Sequence, residues 1–186
     1  MSNFLAPQTP LENWKRDDLS VQDFWQWAYS DLKANNVRGV FSEWLVAQIL
    51  GLTLSEPRDS WAENDLELPN GKTIEIKSSA YLQTWEQENK SKISFGGLKA
   101  QVYDYKTRDY NGISAYNPDI YIFCVQVETN PDIWNALDVT QWRFYVLSNA
   151  QMVQHNTKSI SLSVVQKLTQ ELTVNELKDN VNHLSQ

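Results

Sequence analysis

Asp65, Glu75 and Lys77 fall within one short stretch, DLELPNGKTIEIKSS, that reads as a β-hairpin. Its turn decides what these side chains can do together. A two-residue turn at Asn70-Gly71 would put apolar and polar residues on both faces, which a half-buried sheet resists. A three-residue loop, Pro69-Asn70-Gly71, fits better. Pro69 takes the first central position of a type I turn and Gly71 the left-handed bulge position. Leu68 then opposes Lys72, Leu66 opposes Ile74, and Asp65 opposes Glu75. Leu66, Leu68, Ile74 and Ile76 share one face. Asp65, Glu67, Thr73, Glu75 and Lys77 share the other. Two carboxylates directly opposite each other destabilise a bare sheet. A divalent cation reverses that sign, because carboxylate oxygens are the hard ligands Mg²⁺ takes. Lys77, beside Glu75 on the same face, can hold or help deprotonate a water, or steady a phosphate oxygen. The competing reading is a plain hairpin with its charged face in solvent.

The hairpin needs a partner layer. A capping box at Ser20–Asp23 opens a helix expected to run to about Asn35. A second helix is expected over Val37–Leu50, stopped by Gly51. On a helical wheel Arg38, Ser42 and Gln48 share a polar sector, whereas Glu43 falls among Gly39, Val40, Val46, Ala47 and Leu50. A carboxylate on an apolar stripe needs a partner. That partner is a metal or an active-site lysine; the competing readings are a shifted helix phase or a pair with an unrelated arginine. Asp119–Val127 (DIYIFCVQV) and Trp142–Leu147 (WRFYVL) read as buried strands. Short strands are expected near Lys90–Phe95 and Ser159–Ser163, and a terminal helix over Val174–Leu184. Helices followed by strands and a mixed tail predict one α/β domain over residues 1–186, a sheet covered by helices.

Composition narrows the class. The chain has 186 residues, 41% hydrophobic, with a formal charge of −7, so any nucleic-acid contact must be local. The lone Cys124 excludes an internal disulfide and fits a reducing compartment. His155 and His183 do not make a structural zinc site. No secretory signal or membrane span is expected, which predicts a cytoplasmic protein without a membrane partner. The eight tryptophans are expected mainly in packing.

The order Glu43 in RGVFSEWLVAQILG, Asp65 in WAENDLELP and Glu75-Ile76-Lys77 in KTIEIKSSAY resembles the PD-(D/E)XK nuclease superfamily. The resemblance covers about residues 36–127, with Asn64 where that pattern has Pro. It implies the restriction-endonuclease-like fold, a mixed central β-sheet flanked by α-helices. It also implies Mg²⁺-dependent hydrolysis of phosphodiester bonds, with Mn²⁺ as a substitute. Asp65, Glu75 and the Ile76 backbone carbonyl would bind the metal. Glu43 would reach it through water or hold a second ion, and Lys77 would position the attacking water. A subgroup carries a Gln-x-x-x-Tyr pattern, matched here by Gln101 and Tyr105. DNA is favoured over RNA, and endonuclease action is favoured. A homodimer is compatible with this reading, and an inactive binding module on the same fold is the alternative. Lys90, Lys92, Lys99, Lys106 and Arg108, interleaved with Tyr103, Tyr105 and Tyr110, are the expected backbone contacts for nucleic acid.

Overall fold

A strand whose every residue is buried must lie at the centre of a sheet covered on both faces. Ile120–Gln126 is such a strand. The computed structural model describes residues 4–13, 18–104 and 106–185, with Asp104 described by its backbone alone. In chain order the elements are α1 (Val21–Tyr29), α2 (Asn35–Leu50), β1 (Leu66–Glu67), β2 (Thr73–Ala80), β3 (Ser94–Phe95), β4 (Tyr103–Asp104), β5 (Asp109–Tyr110), β6 (Ile120–Gln126), β7 (Trp142–Ser148), α3 (Asn149–His155), β8 (Ile160–Ser161), α4 (Leu162–Leu168) and α5 (Val174–Leu184). The central sheet is mixed and four-stranded, ordered β1-β2-β6-β7. β2 runs parallel to β6, while the β1–β2 and β6–β7 pairs are antiparallel.

Alternation along β6 divides the core in two. Ile120, Ile122 and Cys124 pack with Ile74, Ile76 and the apolar residues of α2 and α5. Tyr121, Phe123 and Val125 pack on the other side with Met152 of α3, Val165 of α4, and Ile93, Phe95 and Leu98. Helices thus flank both faces, the α/β layering expected from the sequence. No helix among the described residues is long and apolar enough to cross a membrane.

The hairpin adopts the three-residue loop. Gly71 has φ +82° and donates its N–H to the Leu68 carbonyl at 2.8 Å, and the Leu68 N–H donates to the Lys72 carbonyl at 2.8 Å. Leu66 faces Ile74 and Glu67 faces Thr73, which is the expected register.

Several expectations change. The first helix stops at Tyr29 rather than near Asn35. α2 is rotated from the expected phase: Arg38 and Ser42 are buried with Leu45, Val46 and Leu50, and Val40 is exposed. Both polar tips bond locally. Ser42 donates to the Gly39 carbonyl at 2.8 Å, and Arg38 donates to the Lys33 carbonyl at 2.8 Å and to Asn35 Oδ1. Their stems can then pack, and Glu43 moves to the margin of the buried face. Two helices, α3 and α4, occupy a tail expected to hold only an edge strand and the terminal helix. Tryptophan placement also departs from expectation. Trp142 is buried and Trp134 partly so, but Trp25, Trp27, Trp44, Trp61 and Trp85 are exposed; Trp14 lies outside the described residues. Among the described residues, the crossover from β2 to β6 holds only the two-residue strands β3, β4 and β5. β4 pairs with β5, and β3 pairs with β8.

Gly71 and Gly39 should respond oppositely to alanine. Neither position has a heavy atom within 4 Å of an added Cβ, so local backbone preference decides each outcome. Gly71→Ala places a side chain at left-handed φ and should lower stability by about 1–2 kcal/mol. Gly39→Ala, inside α2, should raise it by up to about 1 kcal/mol. Urea denaturation of both variants measures these changes.

Candidate active site

β1 ends where the chemistry begins. Backbone groups alternate along β2, and those of Ile74 face β1, so those of Ile76 point to the same side. Past Leu66 the ladder has no further strand residue to meet them. The Asp65 side chain takes over: its Oδ2 accepts the Ile76 N–H at 2.6 Å, and the Asp65 N–H donates to the Ile74 carbonyl at 3.1 Å. The expected Asp65–Glu75 juxtaposition is therefore realised with a difference. Asp65 does not face Glu75 as a ladder partner. Its carboxylate lies at the sheet edge, against the β2 backbone. The Ile76 carbonyl points to that same edge.

Glu75 and Lys77 project from β2 on the side of Tyr121 and Phe123, their ladder neighbours on β6. Lys77 Nζ donates to Glu75 Oε1 at 2.5 Å, and both side chains are largely buried. The segment after β3 comes close to them at Gly97, where a Cβ would lie 3.9 Å from Lys77 Nζ. Burial and the adjacent Glu75 push the Tyr121 phenol upward, which keeps it neutral.

Glu43 arrives from the opposite side of the sheet, on α2. Its carboxylate is held in a bidentate pair by Arg58, with Nε at 2.5 Å and the second guanidinium nitrogen at 2.8 Å. Sequence reasoning left an arginine partner open but did not name Arg58. The available signal was its isolation: Arg58 is the one cation between Glu56 and Glu67. Hydrogen bonding to Glu43 raises the Arg58 pKa, so this cation does not titrate. Glu43, Arg58 and Asp65 line a cleft of about 710 Å³ with Trp44, Gln48 and Asn64.

Asp65 stands between the two acids. Burial, then Glu75, with Glu43 adding to them, push its carboxyl up to about 7, against the lowering effects of the Ile76 N–H and Lys77. Both cations beside it are committed, Arg58 to Glu43 and Lys77 to Glu75. Among the described residues no three Asp, Glu, His or Cys side chains converge as they stand to enclose a metal ion.

The expected nucleic-acid contacts are spread over separate segments. Lys90 and Lys92 are exposed ahead of β3, and Lys106 and Arg108 are exposed in the turn between β4 and β5. Lys99 is engaged by Asn156 Oδ1 at 2.7 Å and lies 5.0 Å from the Tyr116 ring centre. Tyr103 and Tyr110 meet edge to face at 5.1 Å. Tyr105, the last residue of the Gln-x-x-x-Tyr pattern, lies outside the described residues. No family model, curated protein or solved structure matches this chain.

The raised Asp65 carboxyl gives stability a definite pH slope. In the folded protein it holds a proton up to about pH 7, against an ordinary value of 3.8. The folded state therefore binds more protons between these values, so stability falls as pH rises from about 4 to about 7 and levels off above. Asp65→Asn keeps an acceptor for the Ile76 N–H and should flatten this slope. Asp23, Asp138 and Glu176 are shifted downward and act on stability at lower pH. Metal-free urea denaturation between about pH 4.5 and 8 compares parent and variant; equal slopes would show that Asp65 carries no such shift.

Proposed function

We propose that this chain is a metal-dependent nuclease of the PD-(D/E)XK, restriction-endonuclease-like type, hydrolysing phosphodiester bonds of DNA, with endonucleolytic cleavage favoured. One observation carries the reading. A half-buried Asp65 carboxylate sits next to Glu75 at a sheet edge, and Lys77 lies beside that Glu. Asp65 forms no ion pair of its own, since Lys77 is taken by Glu75 and Arg58 by Glu43, and a hard divalent ion would relieve the repulsion it meets from both acids.

The donor set fits Mg²⁺ or Mn²⁺. Asp65, Glu75 and the Ile76 carbonyl would hold the ion, and Glu43 would join through water or a second ion once it releases Arg58. A divalent ion there supplies Lewis-acid polarisation of the phosphate and a lowered pKa for the attacking water. The protein supplies the positioning. Ile76 N–H fixes the Asp65 carboxylate, so its free oxygen has a defined place. Lys77, released from Glu75 or shared with it, can hold a water or a phosphate oxygen with its remaining donors. Asp65 must be ionised to act as a ligand, so metal affinity should rise with pH through about 7.

A second reading has its own support. The tight Glu43–Arg58 pair, and three acids that do not converge, suit a protein that kept the fold as a nucleic-acid- or protein-binding module without the chemistry.

The two readings separate in one experiment on parent, Asp65→Asn and Lys77→Ala. Each is melted with and without Mg²⁺ or Mn²⁺, and incubated with plasmid and single-stranded DNA in metal or EDTA. The nuclease reading expects metal to raise the parent melting temperature and support cleavage. Asp65→Asn should lose both. Lys77→Ala should keep most of the metal-dependent stabilisation while cleavage falls by about 10²-fold or more. A parent that melts independently of metal and cuts no DNA sinks the nuclease reading in favour of the binding module.

A further inference from the structure

The segment from Ser60 to Asp65 is a wall between two clefts. Ser60, Asn64 and Asp65 line the cleft that holds Glu43 and Arg58. Trp61 and Glu63 line a second cleft of about 710 Å³, completed by Gln101, Tyr103, Tyr110 and Asn117. Ala62 lines both. The second cleft has aromatic walls that the core does not use. Trp61 is 78% exposed and Tyr110 52%, so these rings contribute little buried area to the fold. Folding alone gives no reason for an indole at position 61.

We propose that this second cleft binds unpaired nucleobases of the substrate strand, so that the preferred substrate is single-stranded or locally unpaired DNA. This rests on the nucleic-acid side of the proposed function, and deepens it. The chemistry of the lining selects bases over phosphates. Trp61 and Tyr110 offer flat faces on which any base can stack. Glu63, Gln101 and Asn117 offer acceptors for the exocyclic amino groups of adenine, cytosine and guanine. A carboxylate in the wall repels the phosphate backbone, and exposed Arg108 in the adjoining β4–β5 turn provides a charge for it to follow. A base inside a duplex is stacked on both faces and cannot present one to Trp61. The geometry couples this cleft to the acids. Trp61 and Asp65 are four residues apart, a span of at most about 14 Å of chain. A base held on Trp61 would therefore fix the register of the strand within a few nucleotides of Asp65.

The test measures binding in EDTA, so it does not depend on cleavage. Fluorescence anisotropy compares a labelled single-stranded oligonucleotide with the same sequence as a blunt duplex. The proteins are the parent, Trp61→Ala, Tyr110→Ala and Trp27→Ala, the last altering an exposed tryptophan on α1. The parent should bind the single strand more tightly than the duplex. Trp61→Ala should weaken single-strand binding by about 5- to 150-fold, the range expected for loss of one stacked base. Tyr110→Ala should weaken it in the same direction, and Trp27→Ala should leave it within about twofold. Quenching of tryptophan fluorescence on binding should be reduced in Trp61→Ala. The inference is overturned if Trp61→Ala binds the single strand as the parent does, if the parent prefers the duplex, or if the parent binds no single strand. A parent that binds in this pattern yet never cuts would remove the nuclease reading and leave the base-binding cleft standing.

Discussion

The candidate site depends on one hydrogen bond, from the Ile76 N–H to the Asp65 carboxylate. It does two things at once. It gives the β2 backbone a partner where β1 has run out, and it fixes an acidic side chain at the sheet edge. A backbone N–H left unmet in a half-buried position would cost about 1–3 kcal/mol, so the carboxylate is held there by a backbone need. That position also exposes Asp65 to acids from both sides of the sheet, Glu75 from β2 and Glu43 from α2. The burial, and after it the repulsion from Glu75 and Glu43, that raise its pKa are consequences of where the ladder stops.

Two ion pairs manage the remaining charge. Lys77 holds Glu75 from within the same strand, two residues away, and Arg58 holds Glu43 from a loop fifteen residues distant. The first pair is short-range and largely buried; the second joins α2 to the loop that leads into β1, in the wall of the cleft that both residues line. Both cations sit where they can offset carboxylates that would otherwise repel one another. Glu43 and Glu75 each have a cation partner in contact, whereas the Asp65 carboxylate is held by the Ile76 N–H and feels Lys77 only through space. The proposed nuclease chemistry uses that inequality, since Asp65 is the acid with most to gain from a metal.

The segment that carries Asp65 also joins the two clefts. Neighbouring side chains along Ser60–Asp65 face different cavities, so the residues beside the acids are the same few that present Trp61 to solvent. Tying an aromatic surface and an acidic site to one short stretch of backbone would let the proposed binding at the first set position at the second.

The hairpin register could be read from its own residues, because Pro69 and Gly71 each tolerate few backbone conformations and only one loop length sorts Leu66, Leu68, Ile74 and Ile76 onto one face. β6 was legible because a near-uncharged run of β-branched and aromatic residues has nowhere to go but a sheet centre. The terminal helix falls at the expected Val174–Leu184, and Gly51, expected as the stop of α2, takes the left-handed φ that ends it. Other features were decided in three dimensions. α3 follows β7 with no glycine or proline between them, and its capping box at Ser148 and Gln151 is a weak mark beside so strong a strand. The phase of α2 was misread because polar type does not reveal that Arg38 and Ser42 satisfy their tips on nearby backbone and side-chain oxygens and bury their stems. Arg58 could not be assigned to Glu43, since an ion pair across a loop leaves no spacing rule. Residue type predicts tryptophan in packing, and only the fold shows Trp61 standing outside it. Local chain geometry sets register and strand identity, because turn and strand preferences act over a few residues. Which charge meets which, and which ring meets solvent, depends on contacts between segments far apart in the chain, and only the tertiary structure brings those together.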